Sequence, residues 1–124
     1  MSKRVLLVGW EPSVVDFSKV PGLDLNEEKL RRQLTADRDR LMAAGYEVDW
    51  CYLDSGETAE RMVNEALQAK DYDCVMVGAG VRLPPDYLLT FEKLVNLIHR
   101  NAPNAHLCFN SNPADTAVAV QRWI

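Results

Sequence analysis

The sequence predicts an α/β domain, a three-layer α-β-α sandwich with helices on both faces of a four-stranded parallel sheet. Four short apolar runs alternate with four helical patterns, which is typical of parallel strands joined by crossover helices. Two runs, 4–8 and 74–77, are continuously apolar apart from Arg4, as expected for central strands buried on both faces. Right-handed crossovers favour the strand order 2-1-3-4, and the chain, residues 1–124, is expected to form a single domain.

The other two strands are predicted at the edges of the sheet. Residues 46–53 include Glu47 and Asp49, which favour an edge position for the second strand. Residues 105–109 form the fourth strand at the opposite edge.

The first helix is predicted over about 26–44, and the second over about 58–69. Asp24 or Asn26 provides the amino-terminal cap of the first helix, and Gly45 ends it. The crossover rule places the first helix on one face of the sheet and the next two on the other face.

The third helix is expected to begin at the proline pair, with Pro85 in its first turn, and to reach about residue 100. Its inward stripe is predicted to consist of Leu88, Phe91, Val95 and Ile98. The last helix is predicted to begin at Pro113 or Ala114, with Asn112 as its cap, and to pack beside the first helix.

The segment 10–25, between the first strand and the first helix, is unusually long for a strand-to-helix connection. It contains several apolar residues, among them Phe17, Val20 and Leu23. We expect it to pack as a lid over the carboxyl edge of the sheet. A simple plug for that end of the sheet is the alternative.

Asp37 falls within the inward stripe of the first helix. An unpaired buried carboxylate is costly, so we expect its side chain to lie at the margin and to pair with Arg38 or Arg40. A pair across a subunit interface is the alternative. Apolar residues away from the inward stripes, namely Leu89, Leu97 and Trp123, also predict a homodimer.

Composition and charge exclude several classes of protein. The net charge of −4 argues against non-specific nucleic-acid binding. We expect no signal peptide and no membrane span. Cys51, Cys74 and Cys108 are far apart in sequence, and each lies inside an apolar run. They predict buried, reduced thiols in a cytoplasmic protein without a metal site.

Polar residues and glycines gather where the four strands end, at the carboxyl edge where open α/β sheets bind ligands. The candidate binding residues are Gly9, Trp10, Glu11, Ser13, Asp54, Gly78, Gly80, Arg82, Asn110 and Ser111. Gly78 and Gly80 are expected to adopt positive φ or to allow close approach of a ligand. Arg82 is expected to clamp a carboxylate or phosphate. Turn glycines and a surface arginine are the structural alternative.

Catalytic arrangements are sparse in this sequence. Both histidines are predicted at the opposite, amino-terminal edge of the sheet. Glu11, Asp16 and Asp54 are the carboxylates available for acid–base work. We therefore expect a non-catalytic protein that binds a small anionic ligand or a partner protein, with no cofactor. A small hydrolase or lyase that uses these carboxylates is the alternative, and the sequence leaves open whether the protein is an enzyme.

The order and length of the elements resemble flavodoxin-like domains, and especially the receiver domains of response regulators. Residues 72–84 are similar to the third strand of a receiver and the loop after it. The position of the receiver's phosphorylated aspartate falls near Gly78, and Gly9-Trp10 replace its acidic pair. Ser111 stands near the position of its hydroxyl residue, and the fifth strand is absent. The resemblance implies the fold and, as a further alternative, a signalling module without phosphotransfer.

Overall fold

The computed structural model describes residues 2–19 and 25–124 and confirms the predicted α/β sandwich. Its four strands are β1 (Arg4–Trp10), β2 (Glu47–Leu53), β3 (Cys74–Val77) and β4 (His106–Phe109). All neighbouring strands are parallel, in the predicted order β2-β1-β3-β4. The sheet therefore has one carboxyl edge, where all four strands end.

The described chain also contains five α-helices and three short 3-10 helices, all of which lie between strands except the last α-helix. The α-helices are α1 (Glu27–Ala43), α2 (Ala59–Ala69), α3 (Ala79–Arg82), α4 (Leu88–Asn101) and α5 (Thr116–Gln121). The 3-10 helices cover Pro12–Val14, Phe17–Lys19 and Pro85–Tyr87. The predicted lid thus contains two 3-10 turns, while its residues Val20 and Leu23 lie outside the described residues.

Local signals define both ends of α1, as predicted. The side chain of Asn26 accepts a hydrogen bond from the Lys29 N–H, which satisfies one of the free donors at the start of a helix. Gly45 follows the helix with a φ of +99°, a conformation that favours glycine. The alternative cap, Asp24, lies outside the described residues.

The two faces of the sheet have separate cores, because side chains alternate along each strand. Leu6 and Val8 of β1 point towards α2 and α4. Val5 and Leu7 point towards α1 and α5. The predicted distribution of helices, with the last beside the first, is confirmed.

Three predicted boundaries at the carboxyl edge are wrong. β1 runs beyond Val8, because Gly9 and Trp10 continue the pairing with β2. The segment after β3 forms α3 instead of a loop, and α4 begins only at Leu88. α5 begins at Thr116 and not at Pro113 or Ala114. The Asn112 side chain accepts a hydrogen bond from the Ala114 N–H and so caps a turn that precedes the helix.

The inward stripe of α4 agrees with the prediction at Ile98, which is in the core, and at Phe91, which packs against it, but it differs at Leu88. Leu94 and Ile98 are fully buried, whereas Leu88 is 55% exposed. Leu88 lies six residues before Leu94, which places it about 120° away around the helix. The two fully buried residues, Leu94 and Ile98, are four positions apart and stack on the same face.

Asp37 is buried completely, with 0% exposure, so its predicted position at the margin of α1 is wrong. Its predicted pairing is confirmed, because Arg40 Nη1 donates to Asp37 Oδ1 at 2.6 Å. Oδ2 is buried without a hydrogen-bond partner of good geometry among the described residues. Burial raises the pKa of Asp37, and nearby Thr116 and Arg40 oppose that rise. α5 causes the burial, since it packs against α1 and places Thr116 beside the carboxylate.

The three cysteines are buried and free, as predicted. Two of them are close together in space although they are far apart in sequence. Cys74 and Cys108 lie on the neighbouring strands β3 and β4, with their Sγ atoms 3.4 Å apart. Within residues 2–19 and 25–124, no group of three or more His, Cys, Asp or Glu side chains could hold a metal ion. No helix of that part of the chain is long and apolar enough to cross a membrane.

The raised pKa of Asp37 predicts a stability effect that depends on pH. A carboxyl whose pKa is higher in the folded state stabilises the fold while protonated, and this contribution is lost as pH rises through the folded pKa. Asp37→Asn should therefore raise the melting temperature at pH 7 by a few degrees, since about 1 kcal/mol moves it by about 3–6 °C.

The difference between Asp37→Asn and the parent protein should shrink as the pH approaches 4. Asp39→Asn is the matched control, because the Asp39 side chain is 61% exposed. A difference in melting temperature that is the same at pH 7 and pH 4 would contradict the prediction.

Candidate ligand-binding site

A small cavity of about 100 Å³ lies at the carboxyl edge of the sheet. It is bounded by β1, β2, β3, α1, α3 and the segments that follow β1 and β4. Its larger apolar lining residues are Trp10, Phe17, Leu30, Leu34, Trp50, Met76 and Tyr87. Its polar lining residues are Asp16, Lys19, Asn110, Ser111 and Asn112. The lining is therefore mainly apolar, with polar groups from the 3-10 turn and the loop after β4.

Two glycines form part of the cavity wall. Gly9 follows Leu7 by two positions along β1, and Gly78 follows Met76 in the same way at the end of β3, so both face α1. A Cβ atom at Gly9 would lie 3.6 Å from Trp50 Cζ3, and one at Gly78 would lie 3.4 Å from the Val8 carbonyl oxygen. These are ordinary contacts, so the missing side chains leave space that methyl groups would occupy.

The predicted positive φ at Gly78 and Gly80 is wrong. Gly78 has a φ of −70° and Gly80 lies within α3. Gly45 is the only residue with positive φ in the described part of the chain. These glycines therefore matter for the space beside them and not for an unusual backbone conformation.

Trp10 forms one wall of the cavity and is held in place from two sides. Its indole Nε1 donates to the Gly80 carbonyl at 3.1 Å. Its ring packs against Tyr87, with the ring centroids 4.9 Å apart. This contact joins the end of β1 to the segment that links α3 and α4.

Asn110 is 5% exposed and joins three elements at this edge. Its Oδ1 accepts from the Ala79 N–H at 2.7 Å, at the first residue of α3. Its Nδ2 donates to the Thr116 hydroxyl at 3.0 Å, at the first residue of α5. The side-chain amide is therefore occupied on both sides by protein partners.

Arg82 does not line the cavity. Its Nη2 donates to the Asn110 carbonyl at 2.8 Å, and its Nε is buried without a partner among the described residues. The guanidinium thus links the end of α3 to the end of β4. Lys19, which does line the cavity, forms an ion pair with Asp86.

Three other predicted residues lie outside the cavity. Glu11 accepts from Arg31 Nη2 at 2.5 Å, and this contact lowers the pKa of Glu11. Ser13 is exposed, and its N–H donates to Glu11. Asp54 is exposed and accepts from the Thr58 hydroxyl. The structure brings Gly9, Trp10, Gly78, Gly80, Asn110 and Ser111 together around the cavity.

The carboxylates considered for acid–base work have separate partners. Glu11 is bonded to Arg31, Asp54 to Thr58 and Asp16 to Ser18. The hydrogen bond from Ser18 is the main cause of a lowered pKa at Asp16. Asp115 accepts hydrogen bonds from the Ser111 hydroxyl and backbone N–H, so a carboxylate of the protein already lies beside the start of α5.

The residues considered for a dimer interface differ in their exposure. Leu89 and Trp123 are 63% and 56% exposed, and Trp123 packs against His106 with the ring centroids 6.2 Å apart. Leu97 packs against the core between α2 and α4. The homodimer stays a prediction.

Apart from Trp10 and the lid residue Phe17, sequence reasoning missed the larger apolar residues of the cavity, among them Trp50, Met76 and Tyr87. A signal for two of them was present. Met76 stands two positions before Gly78, and alternation along a strand places both side-chain positions on the same face. Trp50 lies on β2, beside β1, on the same face of the sheet.

Comparison with known proteins supports the fold alone. No protein-family model matches the sequence, and no curated protein matches it. A solved structure described as a "putative lipoprotein from Peptoclostridium difficile 630 (fragment)" is similar, with a TM-score of 0.52 and 11% identity. The similarity covers 87% of this chain and 72% of that chain. The resemblance to receiver domains stays a prediction.

The position of Arg82 predicts a structural effect on its removal. Arg82→Met keeps an unbranched side chain but deletes the donor to the Asn110 carbonyl. We expect the free energy of unfolding, measured in urea, to fall by about 1–2 kcal/mol. Arg100→Met at the end of α4 is the matched control, because Arg100 is exposed, and should stay within about 0.5 kcal/mol of the parent protein. Unchanged stability in Arg82→Met would contradict this role.

Proposed function

We propose that this protein binds a small, mainly apolar molecule in the cavity at the carboxyl edge of its sheet. The observation that carries the proposal is the apolar cavity between α1 and the strand ends, kept open by Gly9 and Gly78. Binding sites of small molecules are concave and largely apolar, with a few polar groups that orient the ligand. Open α/β sheets place such sites at their carboxyl edge.

The size of the cavity supports a ligand of about one ring. The volume is about 100 Å³, below the roughly 150 Å³ of an apolar cavity that takes up benzene, so a single ring is the upper limit for the part of the ligand that enters it. The aromatic rings of Trp10, Trp50 and Tyr87 supply flat surfaces of matching size. A single planar ring or a short branched chain is the best match for this space.

The charges around the cavity favour a neutral ligand over the anion that the sequence predicts. Lys19 is paired with Asp86, and Arg82 is bonded to the Asn110 carbonyl. An anion that enters an apolar cavity loses its hydration, and this loss needs a compensating charge. The cationic groups nearest to the cavity already have protein partners.

The proposal predicts that toluene stabilises the folded protein. A ligand that binds the folded state at ten times its dissociation constant adds about 1.4 kcal/mol, which raises the melting temperature by about 4–8 °C. Inorganic phosphate at the same concentration should give no comparable rise. In two-dimensional NMR spectra, toluene should shift the backbone signals around Gly9, Gly78 and Leu34.

Gly9→Ala provides the matched variant for this test. The added methyl group contacts Trp50 without a clash, and alanine is favoured over glycine in a strand by about 0.5–1 kcal/mol. The variant should therefore be at least as stable as the parent protein and should lose most of the response to toluene. An equal response in the two proteins, or a response to phosphate alone, would contradict the proposed site.

A further inference from the structure

The turn Phe17–Lys19, in the described part of the predicted lid, lies between the cavity and solvent. Phe17 and Lys19 line the cavity, whereas Ser18 is exposed. Hydrogen bonds within the turn make it a compact unit. The Ser18 N–H and hydroxyl donate to Asp16 Oδ1, and the Lys19 N–H donates to the Asp16 carbonyl at 3.1 Å. A movement of this turn therefore carries Phe17 and Lys19 together.

One side chain connects this turn to the segment between α3 and α4. Lys19 Nζ forms an ion pair with Asp86 and lies 5.4 Å from the centre of the Tyr87 ring. Tyr87 also lines the cavity, so the ion pair joins two walls of the site. Among the described residues, no backbone hydrogen bond joins this turn to the turn Pro85–Tyr87.

The loop after β4, which also lies between the cavity and solvent, is held by more contacts. The N–H groups of Ser111 and Asn112 donate to the Asp115 carboxylate. The Asn110 side chain adds hydrogen bonds to the starts of α3 and α5. An exposed ion pair, by contrast, adds little stability and is screened by salt, and the Asp86 side chain is 67% exposed. The ion pair is thus the weaker of the two attachments.

We propose that the Lys19–Asp86 pair is a latch that controls how fast a ligand enters and leaves the cavity. When the pair breaks, the turn Phe17–Lys19 moves away from Tyr87, and the ligand passes between them. The pair forms again over the empty and the occupied cavity alike. This inference rests on the proposed function and describes how access to that site is regulated.

The latch changes the rates of binding and not the affinity. An interaction that is the same in the free and the bound protein does not shift the binding equilibrium. The open state lacks the pair, so a weaker pair raises the population of the open state with and without ligand. Association and dissociation should therefore accelerate by the same factor. Asp86 is not among the described lining residues, so its substitution leaves the contacts of the ligand in place.

Asp86→Asn tests the latch, because it removes the charge and keeps the shape of an exposed side chain. The rate constants and the dissociation constant for toluene would be obtained by NMR line-shape titration and relaxation dispersion. We expect both rate constants to rise by about twofold to fivefold, the range for the loss of an exposed ion pair. The dissociation constant should stay within about 1.5-fold of the parent value. Asp71→Asn, which changes an exposed carboxylate before β3, is the matched control and should change neither quantity.

Salt provides a second measurement of the same latch. Raising sodium chloride from about 0.02 M to about 0.5 M shortens the screening length from roughly 20 Å to roughly 4 Å. Both rate constants should rise with salt in the parent protein and not in Asp86→Asn. Unchanged rate constants in Asp86→Asn, or an equal salt effect in the two proteins, would overturn the inference. A rise in the dissociation rate constant alone would also overturn it, because the pair would then stabilise the bound state.

The same measurements separate the latch from the proposed function. If toluene binds, but its rate constants do not depend on Asp86, the apolar site stands and the latch is wrong. If toluene does not bind the parent protein, the proposed site fails, and the ligand-free protein decides on the latch. Relaxation dispersion at the backbone signals of Phe17 and Tyr87 should then show a larger exchange contribution in Asp86→Asn than in the parent protein. Equal contributions would overturn the inference.

Discussion

The carboxyl edge of this protein depends on the hydrogen bonds of one buried residue, Asn110. Its side chain accepts from the start of α3 and donates to Thr116 at the start of α5. Its carbonyl accepts from Arg82. Each side-chain bond joins groups that water cannot reach, and a buried polar group left unpaired costs about 1–3 kcal/mol. The ends of β3 and β4 and the starts of two helices therefore have one favourable arrangement, and the cavity takes its shape from that arrangement.

The same hydrogen bonds determine which groups remain for a ligand. Polar side chains are plentiful at this edge, but Asn110 and Ser111 use theirs to connect elements of the fold. The surface left facing the cavity comes largely from apolar residues such as Leu34 and Met76. Polar residues thus hold the edge together, whereas apolar residues supply most of the surface that faces the cavity. A search of the sequence for clusters of polar residues therefore finds Asn110 and Ser111 but misses the apolar residues that line the cavity.

The sequence predicts the strands, their order and the faces of the helices, because apolar runs and crossover handedness act locally along the chain. It does not predict the partner of Arg82, since the Asn110 carbonyl is brought near only by the pairing of β3 with β4. The complete burial of Asp37 depends in the same way on α5, which packs against α1. The size and shape of the cavity depend on the distance between α1 and the ends of the strands, and no local sequence pattern determines that distance. Six of the ten candidate site residues nevertheless line it, because parallel strands end together at one edge.

Two local choices that oppose stability, Gly9 and Trp50, occur among the residues that line this one cavity. Gly9 and Gly78 leave space where a methyl group would make ordinary contacts, and Gly9, which lies within β1, costs about 0.5–1 kcal/mol relative to alanine. Trp50 adds a buried donor without a partner among the described residues, at a cost of about 1–3 kcal/mol. Packing alone gives no reason for these choices to coincide, because apolar side chains of suitable size would fill the same volume without an unpaired donor. Sequences depart from local consistency chiefly at functional sites, so their meeting at the carboxyl edge is itself an argument that the cavity is there to be filled.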